Sequence, residues 1–378
     1  MQLEAFSFHA GPGWSVPTFP ALDSPQTLVL VFGGTDFVDA PGPIAELVGA
    51  YPQASIVGCS SSGEIHGAHI ADGSLSVAVM RFAKTTLRLA EANVAREGGA
   101  AGSGEAIARA LAAPDLRSIF VLSDGLSVNG TDLLRGIHRT IEPSVVVTGG
   151  LAGDGSRFKQ TWVLVGGKPM PGWVVAVGLY GDALRVTHGS RGGWDVFGPE
   201  RVVTRAVGNV LYELDGEPAL ALYKTYLGER AAGLPATALL FPLALRSTAD
   251  GADNLVRTIL SVDEADQSMT FAGDIPQESI VQLMRANFDR LVDGASQASS
   301  AAGQANVGDT LSVAISCVGR RLVLGERVEE EVEAAYEAVP QGGKLVGFYS
   351  YGEISPFATG QCGVLHNQTM TLTRFGET

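Results

Sequence analysis

The sequence predicts a mixed α/β (α+β) protein of two domains, each a mixed β-sheet with packed helices. Three observations lead there. A chain of 378 residues exceeds what one hydrophobic core usually organises and suits about two domains. Apolar residues make up 46% of it, and they fall in short runs of strand length. Those runs alternate with amphipathic segments early in the chain and crowd together later, so a purely doubly wound sheet is not expected. The change near Pro199 sets the expected domains at 1–200 and 201–378.

Each element can be justified in order. Thr27–Gly34 is an apolar, branched run ending in a glycine pair, which reads as a buried strand. Pro41–Pro52 is a short helix between prolines. Ala54–Ile65 runs from a strand into a loop of small residues. Ser74–Phe82 and Thr86–Val94 alternate well enough to be expected as a hairpin. A helix follows, then the strand Ser118–Gly125. The next segment places Leu133, Leu134, Ile137 and Ile141 on one helical face. Ser144–Gly155 is a strand opening into a glycine-rich loop, and three further strands lead to residue 190. In the second half, residues 207–228 read as two short helices broken at Asp215-Gly216. Residues 236–246, 254–263 and 267–275 read as strands. Ile280, Leu283, Met284, Phe288 and Leu291 share a helical stripe. Residues 296–309 read as a surface loop or frayed helix, and 310–320 as a strand. A helix over 326–339 is expected to turn Val328, Val332, Tyr336 and Val339 inward and a solvated acidic face outward. Strands over 344–356 and 362–375 close the chain. No repeat period stands out.

Composition excludes several functions. The net charge is -14, from 26 basic and 40 acidic side chains, which disfavours nucleic acid and anionic membrane surfaces as partners. No apolar run approaches the ~18 residues of a membrane span, and the N-terminus lacks the pattern of a signal peptide, so a cytoplasmic protein is expected. Three scattered cysteines with no CxxC argue against a disulfide framework or a structural zinc site. Glycine is the outlier, with 48 residues against an ordinary share of about 7%.

The glycines concentrate in four loops that follow apolar strands: Gly33–Asp36, Gly58–Glu64, Ser123–Gly125 and Gly149–Asp154. Ligands of α/β sheets gather at such strand ends. The candidate ligand-binding residues are therefore Gly58, Cys59, Ser60, Ser61, Gly149, Gly150 and Asp154. None of these loops is a P-loop or a dinucleotide fingerprint. Cys59, with His66 and His69 nearby in sequence, is the one candidate nucleophile, against a plain reading as a small buried residue. Glu64 and Glu353 share a Gly-Glu-Ile context, either as an acid–base pair or as structural acceptors. Arg320 can clamp a ligand carboxylate or pair with Glu353. His188 and His366 sit in apolar, glycine-flanked strands, where an imidazole either ligates a haem iron or serves as a core hydrogen-bonder.

With those residues laid out, the chain resembles the FIST family, bacterial sensory proteins with paired FIST N and FIST C regions. The motifs LVFGG, IVGCSSSGEI and VTGGLAGDG carry the likeness in the first half. THGSRGGWDVFGPERVVTRAVGNVLYELDG carries it at the junction, and SCVGRR, GFYSYGEISP and LHNQTMTLT in the second half. The resemblance implies a small-ligand sensory module, with amino acids as suggested ligands, and no catalytic residues. Some stand-alone members act as haem-based nitric oxide sensors beside a histidine kinase. It thus implies haem b as a cofactor, His188 and His366 as its expected metal ligands, and a histidine kinase as signalling partner. Tyr351 and Asn367 join the expected ligand site because they lie in the matching motifs. A homo-oligomer is compatible with the sequence. The alternatives are a haem-free binder of amino acids or related carboxylates, and a Cys59-dependent thiol enzyme.

Overall fold

A computed structural model of the protein describes residues 1–246, 255–303, 308–358 and 360–378. Mixed α/β architecture is what it shows, built from three equivalent units. Each unit has a strand, a helical crossover and a second, parallel strand. The pairs are Thr27–Gly33 with Ser55–Ser60, Leu116–Ser123 with Val146–Leu151, and Leu311–Cys317 with Lys344–Ser350. A returning strand then lies antiparallel to the first: Leu75–Arg81, Trp173–Tyr180 and Met370–Glu377. A leading strand, Gln2–His9, Thr86–Asn93 or Leu184–Arg191, closes the far side.

Between the parallel and returning strands, every unit sends a hairpin into its neighbour's sheet. Val163 pairs with Cys59, Glu353 with Gly150, and Glu64 with Phe348. The exchange is cyclic at the backbone too: Ser62 N–H donates to the Tyr349 carbonyl at 2.8 Å, Tyr351 N–H to Leu151 at 3.1 Å, and Gly153 N–H to Ser60 at 3.1 Å. Three sheets thus close around one core, where Phe32 stacks on Phe348 with ring centroids 4.7 Å apart. Helices cover the outer faces: Gly42–Ala50 on the first, Ala100–Leu111 and Gly130–His138 on the second, Phe288–Ala301 and Val328–Glu337 on the third.

The third unit carries an insertion. Residues 195–285 form their own sheet, with strands from Asp195–Val207 to Ile280–Arg285 and the helix Ala219–Leu227 over a separate core. The expected division at residue 200 does not follow the sheets. Asp195–Val207 runs through it, and two of the three core sheets draw strands from both sides of it.

Several local expectations give way for identifiable reasons. Leu75–Arg81 and Thr86–Asn93 do not form a hairpin; they lie in different sheets. Val210–Leu214, expected as helix, is a strand, and only Ala219–Leu227 after Asp215-Gly216 is helical. The stripe from Ile280 to Leu291 spans a strand to Arg285 and a helix from Phe288, whose start is capped by Asn287 accepting from Arg290 N–H. Part of 296–309 is the end of that helix, with Ala298 and Ser299 buried; 304–307, like Asn254, lie outside the described residues. In Val328–Glu337, Tyr336 faces out at 41% exposure, while Glu331 of the expected acidic face is fully buried. Arg320 explains it: its Nε lies 2.7 Å from Glu331 Oε1, so the carboxylate is neutralised inside.

Candidate functional site

The inserted sheet meets the three-sheet core at a cavity of about 350 Å³. The core side is the loop after Leu116–Ser123, together with Leu151 and Tyr351. Asp124 ties this loop down by accepting from Leu126 N–H and Ser127 N–H at 2.9 and 2.8 Å and from Gly172 N–H at 3.0 Å. Asn129 then starts the helix Gly130–His138, its Oδ1 accepting from Thr131 and Asp132 N–H. Cys317–Gly319 form another wall, and Asn209, Thr258, Leu260 and Phe271 of the insertion complete it.

The lining is amphipathic and neutral. Among the described residues no Asp, Glu, Lys, Arg or His lines the cavity. Leu126, Phe158 and Leu260 leave 42%, 45% and 44% of their surface exposed at it, so it presents apolar surface that no described residue covers. Phe158 stacks on Tyr351 at 4.7 Å with planes 9° apart. Polar groups are few: Asn129, Asn209, Ser127, and Thr258, whose buried Oγ1 has no partner among the described residues. Cys317 adds a neutral thiol, since burial and then the Glu353 carboxyl push it up. A few polar groups set in apolar walls is the usual build of a small-molecule site.

Asn129 also joins the two bodies. Its Nδ2 donates to Asp274 Oδ1 at 3.1 Å, and Arg135 Nη2 lies 3.0 Å from Asp274 Oδ2. Arg257, buried in the insertion, donates to the carbonyls of Asp274 and Leu365. Burial holds the Arg257 guanidinium down at about 10.

The candidate residues from the sequence divide between this site and the scaffold. Tyr351 lines the cavity, and its hydroxyl donates to Asp154 Oδ1. Asp154 organises the next loop by accepting from the N–H groups of Phe158, Lys159 and Gln160. Burial would raise its carboxyl, but the Tyr351 hydroxyl and these amides hold it below the ordinary carboxylate value. Asp154 and Ser61 line a second, polar cavity on the far side of Tyr351.

The remaining candidates line neither cavity. A Cβ on Gly58 would strike the Val31 carbonyl, and one on Gly149, whose φ is +143°, would strike Val121; both glycines serve strand packing. Gly150 faces Gly352, Ile315 and Phe348 inside the core. Ser60 Oγ accepts from Trp162 N–H at 3.1 Å. The Cys59 side chain is wholly buried in the central core, and burial pushes its thiol well up, which disfavours it as a nucleophile. Arg320 is no carboxylate clamp: besides Glu331 it donates to the carbonyls of Leu291, Gly192 and Gln368. Glu353 pairs with neither Arg320 nor Glu64. It accepts from Ser350 Oγ at 2.7 Å and from Thr369 Oγ1 at 2.9 Å, and burial lifts its carboxyl to about 8. Asn367 is buried, and its side-chain nitrogen and oxygen have no partner among the described residues.

Of the two candidate haem ligands, His366 is engaged as a core hydrogen-bonder and His188 keeps a ring nitrogen without a partner among the described residues. His366 Nε2 lies 2.8 Å from the Ser355 carbonyl and so carries the proton, while Nδ1 faces Ser190 Oγ at 3.5 Å. Burial first, with the charges around it, lowers His366 to about 4. His188 has a buried, unpartnered Nδ1, but neither histidine lines either of these two cavities. Haem propionates are best met by cationic donors, and no cationic side chain lines the neutral cavity among the described residues.

Sequence reasoning missed the residues that matter most here. Asn129 sits in an ordinary helix-start pattern, Asn-Gly-Thr-Asp, and Thr258 and Leu260 in an ordinary strand. Phe158 carried one weak signal, an aromatic in a polar loop after a glycine-rich turn.

Comparison with known families divides the chain within the inserted sheet. The FIST N domain matches residues 27–217 and the FIST C domain residues 219–356. Among curated proteins, no relative matches the chain. No helix among the described residues is long and apolar enough to cross a membrane. With the two matches covering most of its length, the chain belongs to the FIST family of small-ligand-binding signal-transduction domains.

Proposed function

We propose that the protein senses an uncharged, ring-sized organic ligand held between the three-sheet core and the inserted sheet. The neutral cavity at that seam carries the reading. An aromatic wall of Tyr351 and Phe158, with Leu126 and Leu260 at the rim, suits a flat apolar ligand. Asn129 and Thr258 are there to orient one or two polar groups. The absence of a cationic side chain among the described lining residues favours neutral ligands over amino acids, carboxylates and haem.

Signalling would use the same seam. Asn129 both lines the cavity and holds Asp274, so a ligand contacting Asn129 biases how the insertion sits on the core. The output then passes to a separate signalling protein, a histidine kinase being the partner that the family resemblance implies. A haem-based nitric oxide sensor remains the alternative implied by the resemblance, and the unpartnered Nδ1 of His188 is the one observation in its favour.

Thermal stabilisation by benzamide and by benzoate separates the readings, because the two share a ring and differ in charge. Benzamide should raise the melting temperature by a few degrees at saturation, and benzoate should not. Ala272→Phe, which fills the cavity, should abolish the shift. A larger shift with benzoate, or a Soret band that appears on adding haem and disappears in His188→Ala, would overturn the proposal.

A further inference from the structure

The second cavity lies at the place in the first unit that the neutral cavity occupies in the second. In both, the loop after the first strand, the end of the parallel strand and an incoming loop from a neighbouring unit form the walls. Here these are Gly34–Asp36, Ser61 and Ser62, and Asp154–Arg157. The volume is similar, about 320 Å³, but the chemistry is inverted. Four carboxyl-bearing residues line it, Asp36, Glu64, Asp72 and Asp154, against one cation, Arg157. Arg157 lies 3.5 Å from Asp36, and Arg321 makes a two-point pair with Asp72 at 2.7 Å. Glu64 and Asp154 have no ion-pair partner among the described residues.

One buried hydroxyl there lacks a partner: Thr35 is 6% exposed, and its Oγ1 meets none among the described residues. Glu64 is 2% exposed and accepts from Ser74 N–H and Ser74 Oγ at 2.9 Å, with the Ser61 hydroxyl also held against it. Both residues line the cavity. Burying a hydroxyl without a partner beside a carboxyl without a counter-charge is costly unless something meets them. Among the described residues no three of His, Cys, Asp and Glu come together as a metal site, which points to an organic donor.

We propose that this second cavity binds a small organic cation, an ammonium or guanidinium group, through Glu64 and the hydroxyls of Thr35 and Ser61. The site is separate from the neutral cavity, so benzamide binding there neither supports nor opposes it. Proton linkage gives the site a distinctive signature. Burial first, with Asp72 adding to it against the Ser74 and Ser61 hydrogen bonds, lifts Glu64 to about 8. Its carboxyl is therefore mostly protonated at pH 7. A cation seated against it supplies the missing counter-charge, so Glu64 ionises and its proton leaves to solvent.

Calorimetric titration of the full chain with agmatine at pH 7, in two buffers of different ionisation enthalpy, tests this. Agmatine should bind with release of up to about one proton. Glu64→Gln should weaken binding about tenfold or more and end the proton release. Thr35→Val keeps the carboxyl, so it should weaken binding and leave the release intact. No binding of agmatine to the folded protein, equal affinity in Glu64→Gln, or tighter binding of succinate would each overturn the proposal.

Discussion

Replacing Arg320 by methionine sets a structural role for this side chain against the carboxylate clamp that its sequence context allows. The guanidinium is fully buried and meets the Glu331 carboxylate at 2.7 Å and the Leu291 carbonyl at 2.7 Å, with the Gly192 and Gln368 carbonyls beside it. Methionine fills similar space but leaves Glu331 with only the Ser316 and Tyr349 hydroxyls. Orphaning one member of a buried pair costs about 3–5 kcal/mol. A chain of 378 residues unfolds with an entropy of roughly 0.8 kcal/mol per kelvin. The melting temperature should therefore drop by about 4–6 °C in calorimetry. Arg320→Met combined with Glu331→Leu removes both charges and should recover much of that loss. A melting temperature within about 1 °C of wild type, with ligand binding lost, would refute the structural assignment.

Other consequences are independent of it. Glu353 is raised from its ordinary 4.5 to about 8, so the folded state holds a proton that the unfolded chain releases above 4.5. Its contribution to stability is whole below about 4.5 and falls away as pH rises to about 8; relative to Glu353→Gln, wild type should lose roughly 1–2 °C of melting temperature per pH unit in that window. Parallel melting curves for the two proteins would contradict this. Asp274→Ala removes the Asn129 and Arg135 contacts across the seam and should cost about 1–2 kcal/mol, seen as faster amide exchange in the insertion while the three-sheet core keeps its protection. Cys59 should resist iodoacetamide in the native protein while Cys362, partly exposed, is labelled first; early labelling of Cys59 would restore the thiol alternative.

Strand and helix identity was readable wherever a single period held. The apolar runs Thr27–Gly33, which ends in glycine, and Val146–Leu151, which contains a glycine pair, emerge as buried strands, and Leu133, Leu134 and Ile137 do share a buried face. Failure came where one apolar stripe covered two elements, as across Ile280–Arg285 and Phe288–Ala301, because three- and four-residue spacings also arise by chance across a turn. The threefold repeat stayed hidden for a different reason. Its signature is a strand that leaves one sheet for the next, and only the echo of Ser62-Gly63-Glu64-Ile65 in Tyr351-Gly352-Glu353-Ile354 marks it in residue types. The insertion 195–285 also breaks any fixed spacing. For the site, glycine clusters pointed to strand ends that line the two cavities, yet Gly58 and Gly149 serve strand packing. The neutral cavity is made of residues from distant segments, Asn129, Thr258 and Tyr351 among them, whose types are unremarkable one by one. Burial inverted other readings: Glu331 looked solvated and Arg320 looked available, and each is the other's partner.

The central claim is that one neutral cavity links the inserted sheet to the core. Amide hydrogen exchange of the full chain with and without saturating benzamide tests it most directly. Protection should rise together in residues 125–130 of the core loop and in the inserted strands Ile259–Asp263 and Ser268–Phe271, with little change around His188 and His366. Protection confined to the histidine strands, or to one side of the seam alone, would contradict it.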